Sequence, residues 1–324
     1  MRAVVSTEKG VEIREVSKPI TKPVDVLVKV RACGINRADL HMAAGQRHGS
    51  AGGIGAVLGM EWSGEVAEVG SEVKGIKPGD RVMCAGTGGW ADYALADYGR
   101  VLPIPIASMS FEQAAALPIA LNTLHDALVT NGSLKAGHSV LILGASSAVG
   151  LMGMQIAKFL GAEPVIGTST NAERRAQLKN FGADIALDTR DPNWADQARK
   201  ATDGKGVDVT VDMVSGPIIN QTLHAAAVKG YIVAIGRLGG NTAEFNFDLH
   251  SGKRIRYIGA SFRTRSIEEI REINRRMRED LWDAVVAGKL TVPLDSERFP
   301  LERIGEAITR ANANQQFGKV IVTL

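Results

Sequence analysis

A chain of 324 residues is too long for one ordinary hydrophobic core, so two domains are expected. Its 45% hydrophobic and 23% charged residues are the proportions of a globular protein in water, and no run of about 18 apolar residues is present to span a membrane. A net charge of +3 is too small to point to a nucleic-acid or membrane partner, and two cysteines, Cys33 and Cys84, exclude a disulfide framework or a cysteine-rich metal cage.

The N-terminal stretch MRAVVSTEKGVEIREV enters an alternating strand pattern at once. It lacks the apolar core of a signal peptide, so a cytoplasmic protein is expected. Residues 25–33, DVLVKVRAC, alternate apolar and polar as a half-buried strand does. SGEVAEVG and GDRVMCAG read as further short strands, punctuated by Gly and Pro-Gly. Ser110 and Gln113 have capping-box spacing and open a helical region over 110–120. From about residue 138 the texture changes to six short Val- and Ile-rich runs, HSVLILG, EPVIGT, DIALDT, VDVTVDMV, YIVAIG and IRYIGAS, separated by helical or longer connections. Such runs predict an α/β domain with a doubly wound parallel sheet covering 119–261. Ser266 and Glu269 then open a long helix ending at Gly288, and FGKVIVTL closes the chain as a strand. The economical topology makes 119–261 an insertion, with 262–324 rejoining 1–118 in a β-rich domain.

VLILGASSAVGLMGMQIAKFLGA reads as strand, tight small-residue turn and helix. Gly144, Ser147 and Gly150 occupy the positions where bulk would obstruct the turn, a pyrophosphate or the helix–strand contact. Ser146, Ala148 and Val149 complete the predicted cradle, because a helix starting near Ala148 aims its free amides at the phosphates. At the end of the second strand, Gly167, Thr168 and Ser169 offer no carboxylate for a ribose 2′-hydroxyl. Thr168, Ser169 and Arg174 instead suit a 2′-phosphate, which favours NADPH. Gly236, after the fifth strand, offers bare backbone for a cofactor to approach.

Read together, CGINRADL, GDRV, AAALPIA, GASSAVG, FGAD, VDMV and the closing GKVIV resemble the medium-chain dehydrogenase/reductase superfamily, most closely its quinone oxidoreductase branch. That resemblance implies a GroES-like catalytic domain beside a Rossmann dinucleotide domain. The zinc-dependent members place metal ligands where this chain has Asn36 and Met60, and a third near ALNTLHDAL; a four-Cys structural loop is also missing. An amide and a thioether replace thiolate and imidazole poorly, so a metal-free enzyme is expected. Asn36 matches the Asn of the quinone oxidoreductase pattern and is the expected donor to a substrate oxygen or to the cofactor. His41 is the candidate proton relay. Arg47 and Met60 are candidate substrate contacts, although Arg47 stands where many relatives carry Tyr. Thr123 matches a family Thr that contacts the nicotinamide. Thr189 stands in place of an adenine-side Tyr.

The resulting expectation is hydride transfer from NADPH to a quinone-type acceptor, because an electrophilic acceptor needs orientation and a hydrogen bond rather than a Lewis acid. Reduction of a 2-alkenal or enone double bond is the alternative on the same scaffold. A nucleotide-binding protein with a structural or RNA-binding role, as in the zeta-crystallin lineage, is the alternative of another class. The basic run KRIRYIGASFRTR at 253–265 is its one supporting feature. The family resemblance also implies a homodimer through the nucleotide domain.

Overall fold

In the computed structural model, which describes residues 1–314 and 316–324, the alternating run at 25–33 forms the strand Asp25–Gly34 at the centre of a seven-stranded sheet. This strand pairs antiparallel with Lys319–Thr323 on one side and with Glu61–Val69 on the other. Arg81–Ala85 and Val101–Pro103 extend the second side, Leu294–Pro300 extends the first, and Tyr93–Asp97 pairs with the beginning of the central strand. The alternation buries Val26, Val28 and Val30 against Trp62, Trp90, Phe299 and Ile304. The helix Arg37–Ala43 follows the central strand directly, so the turn at Ile35 and Asn36 lies where the strand's two neighbours begin.

The chain divides into two units, Met1–Ile119 with Phe262–Glu279 and Val292–Leu324, and Ala120–Ser261 with Asp280–Thr291. Residues 280–291 therefore belong to the second unit, whereas the sequence pattern had assigned all of 262–324 to the first. The physical reason is a set of polar anchors. The Asp280 carboxylate meets His125 Nε2 at 2.7 Å, and Gln155 exchanges two hydrogen bonds with the Thr291 backbone at 2.8 and 3.1 Å.

The six Val- and Ile-rich runs of the second unit form one all-parallel sheet. Its spatial order is Ile185–Leu187, Val165–Thr168, Val140–Leu143, Val207–Asp212, Ala226–Ala234 and Arg256–Gly259. Numbered along the chain, that order is 3-2-1-4-5-6, the arrangement of dinucleotide-binding Rossmann folds. Val140–Leu143 is buried at every position, as a central strand covered on both faces must be. The capping boxes at Ser110/Gln113 and Ser266/Glu269 both form. Among the described residues, no helix is long and apolar enough to cross a membrane.

Candidate functional site

In the first unit, a buried polar cluster gathers where three strand ends meet. Asn36 follows the end of the central strand, while Lys319 and Glu61 are the first residues of its two antiparallel neighbours. The Ile35 N–H donates to the Val320 carbonyl at 3.0 Å, which holds the Lys319 strand against the turn. Lys319 Nζ then donates to Asn36 Oδ1 at 2.5 Å and pairs with Glu61 Oε2 at 2.6 Å. Asn36 Nδ2 donates to the same Glu61 oxygen at 3.2 Å. The other Glu61 oxygen accepts the Ile119 N–H at 2.7 Å, an amide in the first turn of the helix Pro118–His125 that has no intrahelical partner. The Lys319 and Glu61 side chains are only 3% and 0% exposed, so this ion pair has left water. Removing one member of such a buried pair costs about 3–5 kcal/mol, because the other charge is stranded.

Gly34 makes room for the pair. A Cβ there would lie 2.6 Å from Lys319 Cε and 2.5 Å from the Ala115 carbonyl oxygen, so any larger residue would displace the lysine stem. Asp39, fully buried in the first turn of the following helix, accepts the Asn36 N–H at 2.8 Å. Burial pushes its carboxyl up to about 7, against the opposing influence of the Asn36 N–H and the Lys319 charge; the Glu61 charge raises it further.

The side chains of the other first-unit candidates make none of these contacts. His41 is exposed in the last turn of the Arg37–Ala43 helix, and Arg47 is exposed in a two-residue hairpin strand facing Gly52. Met60 is half-buried against the core, next to Glu61. The donor set does not fit a catalytic zinc. The amide at 36 is taken up by Lys319 and Glu61, the thioether at 60 is a poor ligand, and the Lys319 ammonium opposes a second cation beside Glu61. Among the described residues, no group of three or more His, Cys, Asp or Glu is arranged to hold a metal ion.

In the second unit, the turn after Val140–Leu143 forms a phosphate-type cradle. Gly144 adopts φ of 80°, and its N–H donates to Thr168 Oγ1 at 3.1 Å on the neighbouring strand. Ser147, which fills a glycine position of the dinucleotide motif, is the N-cap of the helix Ala148–Phe159 and accepts the Gly150 N–H at 3.1 Å. The serine is therefore compatible with the turn for a local reason: it satisfies one orphan amide. The amides of Ala148 and Val149 lie ahead of the first intrahelical bond and remain directed out of the helix start, the arrangement that receives a pyrophosphate. A Cβ on Gly150 would stand 2.6 Å from Ala145 Cα, which explains the glycine. Ser169 Oγ donates to Ser146 Oγ at 3.0 Å, so the two loops that would flank an adenosine ribose are tied together.

The end of the second strand is basic. Arg174 and Arg175 lie on the helix after Ser169, whose N-cap is Asn171. Acids nearby include Glu173, exposed in the first turn of that helix, and Asp188, which is bound to Arg175 at 2.9 Å and to Arg190 at 2.8 Å. The Arg190 hydrogen bond, with its charge, holds that carboxyl down at about 2, so it stays ionised and committed to guanidinium partners. Sequence reading missed this arrangement, because Asp188 and Arg190 belong to the third strand's loop. Gly236 lies two residues past the fifth strand, where a Cβ would come within 2.6 Å of the Met213 carbonyl oxygen. Thr123 is half-buried on the Pro118–His125 helix. A concavity lined by Ser215, Arg237, Thr242, Phe245 and Tyr257 opens at the carboxyl ends of the last strands, where open α/β sheets bind ligands. The basic run at 253–265 is largely taken up in structure. Lys253 Nζ donates to the Leu223, His224 and Ala226 carbonyls, Arg256 stacks on Tyr231, and Arg265 pairs with Glu269.

One pH dependence follows from the buried Asp39. Its folded pKa is raised from 3.8 to about 7, so between those values the folded protein keeps a proton that the unfolded chain releases. The corresponding stability is complete below the unfolded pKa and is lost as pH rises through the folded one. Asp39→Asn is expected to remove this downward slope. Urea midpoints measured from pH 4.5 to 8 on both proteins check it, and parallel profiles would contradict the assignment.

Comparison with known proteins agrees with this geometry. Residues 22–106 match the alcohol dehydrogenase GroES-like domain, and residues 148–279 match the family described as zinc-binding dehydrogenase. A quinone oxidoreductase-like protein 2 homolog from Nematostella vectensis is 31% identical over 99% of this chain and 88% of its own length. Human quinone oxidoreductase is 30% identical over 95% of this chain and 92% of its own. The solved structure of a Pseudomonas syringae quinone oxidoreductase is 26% identical and superposes with a TM-score of 0.87, covering 100% of this chain and 99% of that one. The GroES-like unit, the 3-2-1-4-5-6 parallel sheet and its phosphate cradle are thus those of an oxidoreductase that uses a nicotinamide cofactor, and the chain belongs to the quinone oxidoreductase branch of the medium-chain dehydrogenase/reductase superfamily.

Proposed function

We propose that this protein is an NADPH-dependent reductase of quinone-type acceptors that works without a metal. The observation that carries the reading is the Asn36 amide, which is held by Lys319 and Glu61 and keeps one N–H uncommitted, at the position where the zinc-dependent relatives place a ligand. When bound, the reduced nicotinamide supplies a hydride; the chain's own residues bind, orient and stabilise. Asn36 Nδ2 donates to the acceptor oxygen as negative charge develops on it. A quinone needs no more than such a donor, because its carbonyls are already conjugated and electrophilic. Hydride plus one proton converts quinone to hydroquinone. The exposed His41 or solvent delivers that proton, Thr123 contacts the nicotinamide side, and Arg47 and Met60 bound the acceptor. The same donor stabilises an enolate, so 2-alkenals and enones are the competing acceptors.

The preference for NADPH rests on charge. Thr168 and Ser169 put no carboxylate at the strand end, and Asp188 is neutralised by Arg175 and Arg190; Glu173 lies exposed on the following helix. Arg174, on the helix after Ser169, is assigned to a 2′-phosphate, with Gly144, Ser146, Ser147, Ala148, Val149 and Gly150 holding the pyrophosphate and Gly236 giving way to the cofactor. Among the described residues, the Arg256–Gly259 strand ends the parallel sheet with one edge unpaired, and pairing of two such edges would give a homodimer. Light scattering in solution is expected to give twice the chain mass, and a monomer at micromolar concentration would contradict it.

The activity is tested by following NADPH oxidation with a naphthoquinone, a 2-alkenal and, in the reverse direction, a simple alcohol. Quinone turnover is expected to be fastest and to be unaffected by a strong chelator, whereas a tightly held metal ion essential for turnover would overturn the reading. In the same assay, Asn36→Ala is expected to lower kcat by roughly 100-fold, the typical effect of deleting one oxyanion donor. Arg174→Ala is expected to raise KM for NADPH by about tenfold or more, while leaving the value for NADH within about twofold. Equal loss with both cofactors would assign Arg174 a structural role only.

A further inference from the structure

We infer that Lys319, the first residue of the closing strand, is a positioning residue for the reduction, because it sets which way the Asn36 amide faces. The inference deepens the functional reading above and rests on it. An amide side chain has one accepting end and one donating end, and its two orientations are nearly isosteric. Asn36 is the N-cap of the Arg37–Ala43 helix, where the helix amides already favour the oxygen end. Its two charged partners fix the choice. An ammonium has no lone pair, so the atom 2.5 Å from Lys319 Nζ must be the Asn36 oxygen. A carboxylate only accepts, so the atom 3.2 Å from Glu61 Oε2 must be the Asn36 nitrogen. The 2.6 Å contact between Lys319 and Glu61 closes a three-membered ring in which a flipped amide would oppose like ends twice.

The ring leaves Asn36 half-exposed, with its oxygen occupied and the second Nδ2 hydrogen free to donate. Polarisation by the ammonium at the oxygen withdraws electron density from the nitrogen and strengthens that donor. The neighbourhood enforces the geometry rather than merely permitting it. Gly34 is hollowed for the lysine stem, the second Glu61 oxygen is pinned by the Ile119 N–H, and the Asn36 backbone N–H is held by Asp39. A fixed cation therefore acts here through a neutral amide instead of touching the substrate.

Removing the charge of Lys319 alone would strand Glu61, so the test uses the charge-neutral pair Lys319→Met/Glu61→Gln. With asparagine side chains labelled in 15N, the Asn36 amide is identified by its disappearance in Asn36→Ala. Its two proton resonances are expected to be widely split in the parent and to move toward those of solvent-exposed asparagines in the pair variant. An unmoved Asn36 signal in a variant whose spectrum is otherwise native would overturn the inference, whatever the protein reduces. In quinone turnover, the pair variant is expected to lose roughly 10–100-fold in kcat, with KM for NADPH nearly unchanged. Adding Asn36→Ala to it is expected to cost no more than Asn36→Ala alone, because both act through one donor. Independent, additive losses would show that Lys319 acts elsewhere and overturn it. If the parent protein reduces neither quinone nor enone, the functional reading falls, while the amide resonances still decide what Lys319 does.

Discussion

A buried ion pair organises the catalytic unit. Taking Lys319 and Glu61 out of water is costly, and the fold offsets it by giving the ammonium two acceptors and both Glu61 oxygens a donor. The partners are Asn36, the Ile119 amide and the two charges themselves. That requirement constrains a glycine at 34, the register of three strands and the turn that carries Asn36. A defect at any of these would leave a charge unpaired in a medium that cannot solvate it. The cluster is thus rigid because electrostatics makes loosening expensive.

The same pair contrasts with the metal site of the superfamily's zinc-dependent members. In the zinc-dependent members a divalent cation supplies positive charge and needs anionic or imidazole ligands around it. Here a monovalent ammonium is built into the sheet, and the surrounding residues are those that an ammonium needs: a carboxylate and an amide oxygen. Under the proposed function, the half-exposed Asn36 amide offers a hydrogen-bond donor, which suits an acceptor already activated by conjugation.

The nucleotide unit meets its constraint by other means. The cradle is built from a helix start, one capping hydroxyl and glycines at points of close backbone approach. The proposed preference for NADPH rests instead on the balance of guanidinium and carboxylate at the second strand's end, where Asp188 is held by Arg175 and Arg190.

Much of this was legible in the residue order. The six apolar runs predicted the parallel sheet, since continuous Val and Ile runs are stable only when covered on both faces, and the capping spacings at Ser110 and Ser266 located helix starts. Gly144, Ser147 and Gly150 announced a tight turn because the motif is local, with all its contacts within a few positions. Asn36 could be singled out as a replaced ligand and as a match to the family's Asn, but not as an amide held by charges. Its partner Lys319 lies 283 residues away and looks like an ordinary charged residue opening a strand. The allegiance of 280–291 to the nucleotide unit was equally hidden, because it depends on Asp280 meeting His125 and on Thr291 meeting Gln155. Periodicity and turn chemistry are properties of neighbouring residues, so the chain by itself determined its elements, its sheet type and its phosphate turn. Which distant charges share one desolvated pocket is a property of strand register, and only the tertiary structure decided that.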